Sequence, residues 1–188
     1  MSLNEVDAMV RKAARGAGLD WGLAEEAGRA ARWLCAQGHD GVGTAAKALA
    51  GTSHDRSTFS LGARLADCAA DMRNGPLQFE NVSTPQLFLP FAAMTAKILQ
   101  ATVEVECNGC LATTDGQSLN LSCDFPDYSS IVTIRITDVP VANACRMSRA
   151  TPNPEDWAQI EALANLTYAP ATDESRLIGA GAGLSDND

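Results

Sequence analysis

The sequence predicts an α+β fold, on three observations. Apolar residues recur at helical spacing through roughly the first hundred positions, the period changes to two at Ala101, and one more helical pattern follows near the end. The expected architecture is an N-terminal helical hairpin and further helices, followed by an antiparallel meander sheet and a C-terminal helix. At 188 residues and 46% hydrophobic composition the chain is long enough to bury a core as a single α+β domain. Residues 1–100 are mainly helical, 101–140 form the sheet, 153–168 a helix and 171–188 a glycine-rich acidic tail.

Ser2 and Glu5 stand in the spacing of a capping box, so the first helix begins there; Val6, Met9, Val10, Ala13 and Ala17 form its stripe, and Gly18 suits a left-handed terminus. Asp20 can cap a second helix, Trp21 to Gln37, ended by Gly38. Leu23, Ala27, Ala30 and Leu34 form its apolar stripe, and the neighbouring row Ala24, Gly28, Ala31 and Cys35 is small enough to admit another helix closely. Short helices are expected over Thr44–Ala50 and from about Ser60 to Arg73, stopped by Asn74, Gly75 and Pro76. Thr84 and Pro85 open a further helix running to about Leu99, with Pro90 able to kink or delay it.

From Ala101, Val103, Val105 and Cys107 alternate with polar neighbours, and Asn108-Gly109 and Asp115-Gly116 are hairpin signals. Two-residue turns at both would set Val105 against Ala112, Ala112 against Leu119, Cys107 against Cys110 and Cys110 against Leu121. A fourth strand, Ile131–Thr137, turns Val132, Ile134 and Ile136 inward. Asn153 and Pro154 start the last helix.

The net charge of −9 is unevenly placed: residues 1–50 carry six basic and six acidic side chains, so the whole deficit lies after residue 50. Binding a phosphate backbone needs clustered cations, which argues against nucleic acid and against anionic membrane surfaces as partners. No stretch of 18 apolar residues occurs, and Glu5 and Asp7 replace the basic start of a signal peptide, which places the protein in the cytoplasm. Six cysteines there should be reduced thiols. Cys107, Cys110 and Cys123 share a face in the register above, and with Cys145 they would complete a zinc-ligand quartet; the competing reading is that they are small buried hydrophobes.

His39 and His54, the two histidines, fall in loops without a nucleophile in triad context. Trp21, Glu25, Arg29 and Trp33 follow one another at i, i+4 along the second helix: an ion pair flanked by aromatics, which is either a solvated helix face or a recognition surface. The Gly179–Gly183 segment lacks the lysine of a phosphate loop and the strand-to-helix context of a dinucleotide fingerprint.

The opening SLNEVDAMVRKAARGAGLDWGLAEEAGRAARWL, Ser2–Leu34, and the closing TYAPATDESRLIGAGAGLSDND, Thr167–Asp188, resemble an uncharacterised bacterial family, number three thousand seven hundred and twenty-six among the domains of unknown function. The resemblance implies no activity or cofactor, but it implies that the tail with Arg176 is a family feature. Gly18–Gly43 is also similar to the amino-terminal helices of type 2 malate and lactate dehydrogenases, whose cofactor-binding remainder has no counterpart here. The sequence thus favours a cofactor-free, homo-oligomeric module that binds a small metabolite or partner protein, with Trp21, Glu25, Arg29 and Arg176 as ligand-binding candidates. A small enzyme working through Glu25, Glu26, Arg29 and Arg176 is the alternative, and a zinc protein built on the cysteines the third.

Overall fold

A computed structural model describes residues 1–50, 57–143 and 145–168. Two antiparallel partners, α1 (Leu3–Gly16) and α2 (Trp21–Ala36), form the expected hairpin. The Ser2 hydroxyl accepts from the Glu5 amide and the Glu5 carboxylate accepts from the Ser2 amide, and Gly18, at φ 93°, closes α1 in the left-handed conformation. Asp20 stands at the N-cap of α2 but makes no side-chain cap.

α2 is buried on two sides, which is why it carries two adjacent rows of small and apolar residues. Its small row is filled from within the chain: a Cβ on Gly28 would lie 2.7 Å from the Asp7 carbonyl oxygen of α1, and Ala31 backs onto Gly41. The helices that the small row admits are therefore α1 and the helix beginning at Gly41, both of this chain.

Helix α3 (Gly41–Ala50) starts three residues earlier than Thr44 because the Asp40 carboxylate accepts the Gly43 amide at 2.9 Å. Ser57 caps α4 (Thr58–Asp67), which continues past Cys68 as a 3₁₀ turn over Ala69–Arg73. After Pro85–Leu87, also 3₁₀, α5 (Phe88–Leu99) is buried along most of its length, with Pro90 accommodated in its first turn.

The sheet holds β1 (Leu77–Ser83), β2 (Thr102–Cys107), β3 (Cys110–Thr114), β4 (Leu119–Leu121) and β5 (Tyr128–Thr137), in the order β1-β5-β2-β3-β4 with every neighbour antiparallel. Val103, Val105, Cys107, Ala112, Leu119, Val132 and Ile134 face the core. Two features depart from the sequence reading. β1 was not expected, because its alternation breaks at Asn81, a left-handed residue at φ 56° between buried Phe79 and buried Val82. The second hairpin pairs Ala112 with Leu121 and Thr114 with Leu119, two residues away from the two-residue-turn register. Asp115 causes the difference: its carboxylate accepts the amides of Gln117 and Ser118, both at 2.8 Å, and so builds a four-residue turn. Strands have a side-chain period of two, so the slip leaves every residue on its expected face.

Beyond β5, the irregular segment 146–152 crosses the end of α2 and leads to α6 (Pro154–Asn165), capped by Asn153 and packed on α1 and α3.

Candidate functional site

The segment 146–152 is fastened by backbone hydrogen bonds. The Met147 amide donates to the Ala36 carbonyl at 2.8 Å, the Ala150 amide to the Met1 carbonyl at 3.0 Å, and the Met1 ammonium back to the Ala150 carbonyl at 2.8 Å. It thus acts as a strap across the carboxyl-terminal half of α2, with a pocket on either side of Met147.

One pocket, of about 470 Å³, is lined by Leu3, Arg29, Arg32, Trp33, Ala36, Arg146, Met147 and Ser148. Positions 29, 32, 33 and 36 fall on one face of α2 because they are three and four residues apart. Three arginines line it, with no carboxylate among the described lining residues. Arg29 is neutralised from outside the pocket by Glu26 at 2.8 Å and Glu25 at 3.1 Å. Among the described residues, the side chains of Arg32 and Arg146 have no ion pair or hydrogen bond. Trp33 keeps its indole Nε1 buried without a hydrogen-bond partner.

The pocket on the other side, about 270 Å³, is lined by Cys35, Gly38, His39, Asp40, Met147 and Arg149–Pro152. Burial pushes the Cys35 thiol up, against the opposing amides of Gly41 and Val42, so it stays protonated and is a poor nucleophile at neutral pH. Burial likewise lowers the His39 pKa, with Asp124 pulling the other way.

The row of candidates along α2 is divided between sites. Trp21, 70% exposed, sits about 12 Å from Arg29 along the helix axis and borders a different pocket, with Arg11, Lys12, Arg15 and Thr167. The guanidinium over its ring, at 4.5 Å, belongs to Arg15. Glu25 faces Arg29, while Arg176 and the Gly179–Gly183 tail lie outside the described residues, as does His54.

The cysteines correct the expectation of six thiols. Cys110 and Cys123 form a disulfide, Cys107 is buried in the core, and Cys145 is exposed beyond β5. Sulfurs bonded to each other are not thiolate ligands, so the proposed quartet is not assembled. No group of three or more His, Cys, Asp or Glu among the described residues is placed to hold a metal ion.

Arg32, Arg146 and Arg149 were the residues that sequence reasoning missed. Arg32 was legible as the i+3 neighbour of Arg29; the other two lie more than a hundred residues away, in a stretch without periodicity.

Residues 1–78 match the family model described as a protein of unknown function, DUF3726. The DUF3726 match covers α1 to α4 and reaches the start of β1, so it includes the α2 wall of the arginine pocket and not the strap. No curated protein and no solved structure matches the chain. DUF3726 carries no assigned activity, which leaves the side-chain geometry as the basis for a functional reading. No helix among the described residues is long and apolar enough to cross a membrane.

Proposed function

We propose that this protein is a binding module for a small anionic metabolite, seated against Arg29, Arg32 and Arg146. The observation that carries the reading is that three arginines line one pocket, two of them without an ion pair or side-chain hydrogen bond among the described residues, in a chain of net charge −9. Two sequence-distant segments supply the cations, and guanidinium groups suit carboxylate or phosphate because their paired N–H groups engage two oxygens at once. The pocket volume fits a small metabolite, and the acidic remainder of the surface disfavours a polymeric phosphate. Glu25 and Glu26 both serve Arg29, an arrangement that supports binding over proton transfer. A cytoplasmic setting, where such metabolites are plentiful, belongs to the same proposal, with the Cys110–Cys123 bond as an exception to the reduced thiols expected there.

The test is a thermal-shift panel of mono-, di- and tricarboxylates and phosphate esters at low salt on the full chain. At least one anion should raise the melting temperature, and Arg32→Ala with Arg146→Ala should abolish the shift. A panel without a hit, or a hit indifferent to the double substitution, overturns the reading; turnover of the hit would convert it to the enzyme alternative.

A further inference from the structure

The second basic pocket, at the opposite end of α2, is independent of the arginine cleft. Its volume is about 530 Å³ and its lining among the described residues is Arg11, Lys12, Arg15, Trp21 and Thr167, again without a carboxylate. Arg11 and Arg15 are one turn apart on α1 and Lys12 lies beside them, so three cations share one helix flank. They differ in what occupies them. The Arg15 guanidinium donates to the Leu19 carbonyl and stacks on Trp21, which fixes that indole ring at the pocket rim. Lys12 donates to the Tyr168 hydroxyl at 3.3 Å and lies 5.6 Å from the centre of that ring, both neutral partners, and has no ion pair among the described residues. Arg11 has no ion pair or side-chain hydrogen bond among the described residues.

An indole held in place yet 70% exposed is unusual, because a tryptophan buries more apolar area than any other side chain when it can. The pocket therefore pairs a fixed aromatic platform with two cations that have no ion pair among the described residues. We infer that it binds a nucleoside monophosphate, with the base stacked on Trp21 and the phosphate held by Arg11 and Lys12. A phosphate monoester carries close to two negative charges at neutral pH, which matches the charges of Arg11 and Lys12 better than a single carboxylate does. Base–aromatic stacking tolerates any base, because every base has a π-face. The cavity also accommodates a ligand of this size.

The experiment is calorimetric titration of the full chain with adenosine monophosphate, adenosine and inorganic phosphate at low salt. Adenosine monophosphate should bind saturably, and adenosine and phosphate should each bind at least tenfold more weakly, since each supplies half of the recognition. Trp21→Ala and Arg11→Ala, both at exposed positions whose loss leaves the core intact, should each weaken binding at least fivefold. Arg32→Ala with Arg146→Ala should leave it unchanged, which separates this site from the arginine cleft. The inference is overturned if adenosine monophosphate does not bind by millimolar concentration. It is equally overturned if either component binds as well as the whole, if Trp21→Ala is without effect, or if binding depends on Arg32 and Arg146.

Discussion

Cys110 stands directly across from Cys123, their Cα atoms 5.5 Å apart, because Ala112 pairs with Leu121 two residues further in. A two-residue turn at Asp115-Gly116 would have put Leu121 in that place. The bond follows from the turn.

Removing the bond should be costly. It closes a loop of sequence separation 13, and confining such a loop in the unfolded chain stabilises the fold by about 3 kcal/mol in the chain-entropy account. Cys123→Ser should lower the urea midpoint accordingly. Maleimide labelling of the unfolded, unreduced protein should count four thiols, those of Cys35, Cys68, Cys107 and Cys145, and six after reduction.

The turn itself should titrate. Burial opposes the Asp115 charge, but the Ser118 and Gln117 amides outweigh it and hold the carboxyl below its ordinary pKa, with Arg146 assisting. A lowered folded-state pKa contributes stability above the unfolded-state value, and that contribution is lost as pH falls through the folded-state one. Asp115→Ala should therefore destabilise at pH 6, and the difference from the parent should shrink as pH falls below the ordinary carboxylate range, as read from paired denaturation curves.

His39 should act in the same direction, at higher pH. Burial depresses its pKa, so below the ordinary value the unfolded chain takes up more protons than the folded one, and stability falls as pH drops through that window. Proton NMR should place its titration below the ordinary histidine value. Asp124→Asn, which removes the charge that raises it, should move it lower still; a shift upward would contradict the assignment.

Two glycines should respond oppositely to alanine. A Cβ on Gly16 would fall 1.8 Å from the Leu163 carbonyl oxygen, so Gly16→Ala must displace α6 from α1 and should cost about 1–3 kcal/mol. Gly22 has nothing within 4 Å of its virtual Cβ, and Gly22→Ala should be neutral or stabilising by less than about 1 kcal/mol. Thermal melts of the two variants decide both.

The helices were legible because their boundaries are chemical. Ser2 with Glu5, Gly18, Gly38 and Asn153 with Pro154 each satisfy or terminate backbone groups locally, and each is where its residue type predicts. β1 was not legible, since Asn81 interrupts its alternation and only the partner strand, with Phe79 against Val132, explains the segment. The site divides similarly. Arg29 could be picked out on α2, whereas Arg146 joins it only through the hydrogen bond from Met147 to Ala36, a contact between residues 111 apart in number that carries no local signature. The cation over Trp21 was not legible either, since it comes from Arg15 on the neighbouring helix and not from the i, i+4 row of α2.

The four-residue turn at Asp115–Ser118 also bears on how this sheet tolerates change over generations. Adding or deleting residues in pairs there leaves inward side chains inward, so the core of β3 and β4 survives; a single insertion would turn Leu119 and Leu121 out to water. Even the permitted changes would part Cys110 from Cys123. Loop length at this one turn therefore sets whether a descendant keeps its cross-link, independently of whether it keeps its fold.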